Sequence, residues 1–569
     1  MEYPRLKSPA ADRQTLQKFG GINRLPDAPE GTFSHMENMT SDHYPALSCA
    51  RGRQVYDVGE DIGGIIAKDC LCYVDSGDFV MNGYRTPMGL TPGEKNLISM
   101  GAYVVIFPDK KYINTLDLTD FGDLEAEFVS TADVRFTLCD QAGGAYDCVT
   151  APTAPESPEN GQYWLDTSVT PAALRRFSAQ SGLWADIAAT YIKIASPGIG
   201  RKFAQYDGVE VSGVLHKSLQ DLNGSLVVWD RGEDYLVVAG IIPNPVTQSI
   251  ADAPVKVERR LPEMDHVLEC GNRLWGCRYG LDRKGNVVNE IYCSKLGDFK
   301  NFSCYMGLST DSFTASVGTD GPFTGAVEHL GYPLFFKENA LHKVYGSMPS
   351  PYQLQTTACR GVGLGCHKSL VTVEGALYYC SQDGVWSYDG SLPRQVSRQL
   401  GDFACTRGVA GGWQGKYYLS TDADLWVYDT YRKLWHREDS FLADGFAACP
   451  DGFFALSGGK LWDMLRGEQP VSWSAQTAPM GLTEADRSYI SRLTARLALE
   501  PGSTVSFFIR YDASGPWEPL ATLMGSHTRS FQLPLRTRRC DHMELLLRGK
   551  GPMKLYALTK TVEKGSDAP

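Results

Sequence analysis

The sequence predicts an all-β protein. It should hold a β-propeller of about six to eight blades, an inserted β-rich domain and a C-terminal β-sandwich. Three observations lead there. The first is a repeat. "LYYCSQDGVWSYDGS" (Leu377 to Ser391) and "YYLSTDADLWVYDTYRKLW" (Tyr417 to Trp435) share an aromatic pair, a polar turn, an apolar residue, a Trp and a Tyr-Asp. The second is its period. "GFFALSGGKLWDM" repeats the plan, so Trp386, Trp426 and Trp462 follow at intervals of 40 and 36 residues. A period near 40 with four short strands per unit is that of propeller blades. The third is composition: 58 Gly and 11% aromatics suit a turn-rich β protein.

Taken in chain order, residues 1–55 show little apolar periodicity but many Gly, Pro, Met and aromatic residues. They predict an extended strap whose deletion impairs assembly and leaves a folded monomer. Residues 56–125 carry the first blades, in "CLCYVDSGDFVMNGY" and "AYVVIFPDKKYINTLD". Residues 126–250 break the rhythm with the Pro-rich "APTAPESPEN" and then alternate in "SLVVWDRGEDYLVVAGII", as an inserted β-rich domain would. Residues 251–480 resume the blades, with His342 of "YPLFFKENALHKVYG" at the Trp position. Residues 481–569 read as a strand meander, a β-sandwich ending in a loose tail, "KGSDAP". Only "PAALRRF" and "EADRSYISRL" invite short helices.

A four-stranded blade cannot bury both faces alone, so blades pack radially against one another. Trp386, Trp426 and Trp462 are therefore expected at equivalent, largely buried places between blades. Asp383 and Gly384 belong to the turn, and Tyr388 and Asp389 to the strand that follows it.

The chemistry is sparse. A net charge of −11 argues against a surface built to grip phosphates, though DNA could pass through a lumen. No run of about 18 apolar residues exists and the N-terminus has no apolar core, so neither a membrane span nor a signal peptide is expected. Fifteen cysteines without a C-x-x-C pair read as buried, reduced thiols of a protein assembled in a reducing cytosol. "GVGLGCHKS" (Gly361 to Ser369) has neither P-loop nor dinucleotide spacing, and strand-like residues follow it, so it reads as a close-packed loop between blades. Cys366 beside His367, and Cys540 near His542, read as incidental. No catalytic residue, metal-ligand set or cofactor is assigned. Trp164 and Trp184 either stack on sugar faces or form the core of the insert.

"SQDGVW" resembles the Asp box of sialidase-type propellers, with Gly384 one place early. "GGWQGKYYLSTDADLWVYDTYRKLWHRED" resembles a kelch blade at Gly411, Gly412, Tyr428, Asp429 and Trp435. Both motifs are structural. The stretch from Gly361 to Asp402 is similar to virion proteins of tailed phages, of the packaged-DNA stabilisation and tail nozzle (tail accessory) kind. Its matching residues are Gly365, Ser369, Asp383, Gly384, Tyr388, Asp389, Gly390 and Ser397. "FGGINRLPDAPEGTFSHMENMTSDHYPALSCARGR" resembles prophage tail and neck proteins, at Gly20, Gly21, Asn23, Asn38, Met39, Ser41, Tyr44, Pro45, Leu47 and Arg51. "APESPENGQYWLDTSVTPAALRRFSAQSGLW" resembles small prophage tail modules.

The resemblance implies a non-enzymatic virion structural protein, assembled in the bacterial host cytoplasm without a membrane partner. It would form a homo-oligomeric ring of sixfold symmetry among other tail or neck proteins, as a nozzle or DNA-stabilisation component. The genome would pass through that ring during ejection. The alternative is a tail-tip adhesin binding host surface polysaccharide. A glycan-cleaving propeller enzyme is a third class.

Overall fold

The computed structural model describes residues 11–346, 352–481 and 488–564. The expected tail at 565–569 and the start of the expected helix at 484–493 lie outside the described residues. From Ser488 onward that second stretch is strand, not helix. Apart from three short 3-10 helices, the regular elements among the described residues are strands. No helix among them is long and apolar enough to cross a membrane.

Seven four-stranded, blade-like sheets recur, and in six of them each strand lies beside its neighbour in sequence. The first blade spans Ile62–Ala67 to Tyr84–Pro87, the second Asn96–Met100 to Phe121–Asp123, and the third His266–Glu269 to Phe313–Ser316. The fourth spans Gly325–His329 to Gln353–Ala358, the fifth Val371–Val373 to Arg394–Gln395, and the sixth Val409–Trp413 to Leu434–Arg437. The seventh joins Gly445–Cys449, Gly452–Ser457 and Lys460–Gly467 to Gly52–Val58. Tight hairpins make the short strands possible. Glu374-Gly375 and Gln414-Gly415 hold positive φ at both central positions, the turn that matches strand twist.

The chain divides into two compact units. One comprises residues 1–97, 336–341 and 357–569. In it the first strands of the fifth, sixth, seventh and first blades pack in that order. Tyr418, Val427 and Phe453 fill the core between the sixth and seventh blades. Ile62, Tyr73, Val80 and Phe454 do so between the seventh and first.

The same unit holds the C-terminal sandwich, built around a long hairpin of Ser488–Tyr511 and Ser514–Leu533. The first strand of that hairpin changes partners along its length. Residues 488–499 pair with Met553–Lys564, and 504–511 pair with Met543–Lys550, so one long strand joins the two halves of a ten-stranded sheet. Ser472–Thr477 belongs to this sandwich, so it begins before the expected boundary at 481.

The N-terminal segment is not a strap laid over finished domains. Ala11–Leu16 and Leu47–Cys49 pair with Met553–Lys564, Phe33–Glu37 pairs with Ser472–Thr477, and Gly52–Val58 completes the seventh blade. A truncated chain loses strands from two sheets, which overturns the expectation of an intact folded monomer. Pairing between strands some 400–550 positions apart is invisible along a sequence.

The other unit comprises residues 98–335 and 342–356. Its second and third blades share a core of Ile98, Val105, Leu274, Phe299 and Phe302. The insert is an eight-stranded antiparallel sheet wrapped on Phe136, Ile194, Val209, Val238 and Val257. Its two ends lie together as Ala126–Val129 against Lys256–Arg259, so it extends nine residues past the expected limit at 250. Within it, Cys148–Ala151 pairs in parallel with Tyr163–Asp166, followed by Ala173–Ser178 and Leu183–Asp186. The expected helix at "PAALRRF" is therefore a central strand. Leu174 points into the core while Arg175 reaches Asp166 and Asp186, and pairing on both sides overrides helix propensity.

Candidate functional site

The loops that enter the first strands of the first, fifth, sixth and seventh blades enclose a cleft of about 380 Å³. Charge is concentrated there. Lys368 Nζ lies 2.8 Å from Glu94 Oε1 and donates to the Asp444 carbonyl at 2.8 Å. Arg407 pairs with Asp444 at 2.8 Å and donates to the Ala443 carbonyl. The Lys368 hydrogen bond and charge, with His367 and Arg407 nearby, hold the Glu94 carboxyl below its usual range. Lys368 follows Cys366 through the 3-10 turn His367–Ser369, which tips its ammonium toward the cleft while Ser369 is buried. These groups are salt-bridged, and the Glu94 carboxyl moves down. A general acid of raised pKa is what such an arrangement does not supply.

Of the residues singled out in the sequence, Gly365 and His367 line this cleft, while the blade-repeat residues lie elsewhere and do structural work. Trp386, Trp426 and Trp462 occupy the same register on the third strands of consecutive blades, opposite Tyr379, Leu419 and Ala455. Trp426 is buried, whereas Trp386 and Trp462 are half-buried, less than expected. Asp383 Oδ1 accepts the Trp386 indole N–H at 2.9 Å and so ties the turn to the strand. Gly384 has φ +134°, and a Cβ there would meet Ser397 Oγ at 2.3 Å. Tyr388 is buried, and Asp389 accepts the Ser391 N–H and hydroxyl in the next turn.

Trp164 is not available for sugar stacking. It is 5% exposed, donates to the Ala151 carbonyl and is covered by Trp184 and Arg175. Trp184 is half-buried against Phe177. Two aromatics in a small module close its own core first.

The phage-like N-terminal residues form a clamp. Gly21 passes so close to the sixth blade that a Cβ would sit 2.3 Å from the Trp435 carbonyl oxygen. Ile22 N–H donates to that same carbonyl at 2.7 Å. Asn38, at φ 54°, donates its backbone N–H to Glu438 O and its side-chain amide to Ser472 O. Ser41 donates to Asp429 Oδ2 at 2.5 Å, and Lys416 reaches Thr40 and Asp42. Arg53 then grips Glu438 and Asp439. Burial would raise the Asp42 and Asp429 carboxyls. Lys416 beside Asp42, and Ser41 and Arg432 beside Asp429, outweigh it and lower both. His436, buried within this network near Lys416, is pushed down to about 4.

Sequence reasoning missed two sites. The cleft is assembled from residues between 61 and 456, and no local spacing marks it. The second is a set of three cysteines, Cys366, Cys380 and Cys405, brought together from separate stretches. Cys380 and Cys405 are joined as a disulfide, contrary to the expectation of reduced thiols throughout.

No protein-family model matches the chain. No curated protein matches it. Among solved structures, it is similar to the extracellular domain of BT4673 from B. thetaiotaomicron, at 8% identity and a TM-score of 0.25, covering 92% of this chain and 98% of that one. PorZ, a surface component of the type-IX secretion system of Porphyromonas gingivalis, matches at 10% identity and a TM-score of 0.26, covering 88% and 77%. An exo-beta-1,3-galactanase from Phanerochaete chrysosporium matches at 9% identity and a TM-score of 0.17, covering 76% and 100%. At such identities and scores none of them indicates what this chain binds or does.

Proposed function

We propose that this chain is a non-enzymatic virion structural protein of a tailed phage, built on a seven-bladed propeller. It forms a sixfold ring in the neck or tail nozzle through which the genome passes. The observation that carries this reading is the fate of the phage-like N-terminal residues. Gly21, Asn38 and Ser41 all serve to fasten that segment between the sixth blade and the sandwich. The likeness to neck and tail proteins is thus a likeness of architecture, and it falls on residues that hold a particle component together.

Two further features support it. Ser514–Leu533 is a 20-residue edge strand whose outer side has no strand beside it among the described residues. Pro516 and Pro519 blunt one end, and the remainder can accept a strand from a second copy. The net charge of −11 suits a ring wall that repels duplex DNA and lets it slide. The adhesin reading loses support with Trp164 buried.

The test is to locate the protein in virions by imaging labelled and deletion particles, beside binding assays on the purified chain. A ring on the neck or tail axis, and DNA binding that is weak and erased by salt, are expected. Saturable DNA binding that survives about 0.2 M salt would overturn the conduit. Hydrolysis of host-wall glycan, abolished by one carboxylate substitution, would make it an enzyme.

A further inference from the structure

Cys366 ends the glycine-rich turn before the fifth blade, Cys380 lies on that blade's second strand, and Cys405 lies in the segment leading to the sixth blade. All three are buried, and their sulfurs lie within 4.8 Å of one another. Cys366 Sγ is 4.0 Å from Cys405 Sγ. A disulfide uses only two of the three and leaves the third sulfur beside it. Convergence of all three is what a thiophilic metal requires. Two thiolates bound to one tetrahedral zinc at about 2.3 Å stand roughly 3.8 Å apart. Among the described residues, no other group of three His, Cys, Asp or Glu side chains converges in this way.

The surroundings add a path to solvent. Gly408 packs directly on the cluster: a Cβ there would lie 3.3 Å from the Cys380 Cβ and 3.4 Å from the Cys366 Cβ. Gly365 and Gly408 also line the cleft that holds Lys368 and Arg407. Gly408 therefore packs against Ser369, Cys380 and Cys366 on one side and lines the cleft on the other.

We propose that in the reduced chain Cys366, Cys380 and Cys405 hold one Zn²⁺ ion as thiolates, with a water from the cleft as the fourth ligand. Three thiol protons leave to solvent as the ion binds. A divalent ion is favoured by charge. Three thiolates with Zn²⁺ keep one net negative charge in a buried site, whereas Cu⁺ would leave two. The ion would staple the fifth blade to the segment that enters the sixth, so it acts on stability and on the shape of the cleft floor.

The experiment uses the full chain purified anaerobically with a phosphine reductant, and reads zinc by elemental analysis. About one equivalent is expected, falling to roughly a tenth or less in Cys366→Ser and Cys405→Ser and unchanged in Cys304→Ser, a buried thiol elsewhere. A second measurement guards against misfolding: the metal-free reduced chain is titrated with Cd²⁺ and the thiolate-to-metal charge-transfer band is followed. The band should saturate at one equivalent, and chelation should lower the melting temperature of the native chain but not that of Cys366→Ser. Failure of reduced native protein to take up either metal overturns the proposal, and so does full zinc retention by Cys366→Ser. Recovery of Cys380 and Cys405 as a disulfide from the anaerobic preparation, in place of zinc, also overturns it.

Discussion

The clamp on the sixth blade and the cleft beside the fifth use the same residue types in opposite settings. In the clamp, the Asp429 side chain is 1% exposed and Lys416 11% exposed. In the cleft, Glu94 is 67% exposed and Asp444 51% exposed. A charge that has left water must keep every partner, so the clamp residues are fixed in place and hold backbone to backbone. An exposed pair can exchange its partner for water at little cost, so the cleft charges are free to meet a ligand or a passing polymer. Density of charge alone does not separate scaffold from site. Burial does.

The largest effect expected from breaking the clamp is at Asp429. Asp429→Ala strands the buried Ser41 hydroxyl and takes the partner from the partly exposed Arg432, and should cost about 1–3 kcal/mol. The urea midpoint of the full chain measures it, with proteolysis of the N-terminal segment rising in step. A loss as small as that of an exposed pair would dissolve the contrast between the two regions.

The blade tryptophans sharpen the same point through packing. Trp426→Ala should cost about 3–5 kcal/mol, because that indole is 4% exposed and meets Phe403 edge-on. Trp386→Ala and Trp462→Ala, at the same register but half-buried, should cost about half as much. Equal losses at all three would mean that register, not burial, sets the energy.

Acid should weaken the clamp before the cleft. His436 has a folded pKa of about 4, below its ordinary 6.5, because it is buried and sits near Lys416. The unfolded chain takes up the proton first, so stability is full above about pH 6.5 and falls as pH drops toward 4. The loss is about 3 kcal/mol over that window. His436→Gln should flatten the acid limb of a stability–pH curve, and an unchanged limb would remove His436 from the account.

These regions were unequally legible in the sequence. Trp386, Trp426 and Trp462 announced blades because the strand pair that carries each Trp is a local hairpin, even in the seventh blade, whose last strand comes from Gly52–Val58. The clamp residues were visible as a pattern, but their partners were not. Asp429 lies 388 positions from Ser41, and nothing in either neighbourhood names the other. The cleft was hidden because each blade contributes one loop and only stacking brings the loops together, and the three cysteines because a strand residue, Cys380, meets two loop residues that no fixed spacing links to it. Trp164 misled because an aromatic in a small module reads the same whether it faces solvent or its own core.

The smallest effect is expected in the cleft, and it is the most informative about function. Lys368→Ala with Arg407→Ala removes both cations that face Glu94 and Asp444. Glu94 and Asp444 are more than half exposed and the two cations about a third, so stability should change by only about 1 kcal/mol. The local field changes more than the fold does, because the cleft, where Asp61, Glu94 and Asp444 face two cations, turns from slightly to strongly acidic. If the cleft meets DNA, the weak binding expected of the native chain should fall further at low salt, with the melting temperature held. A melting temperature that drops as far as that of Asp429→Ala would instead make these pairs a second clamp, built into the loops between blades.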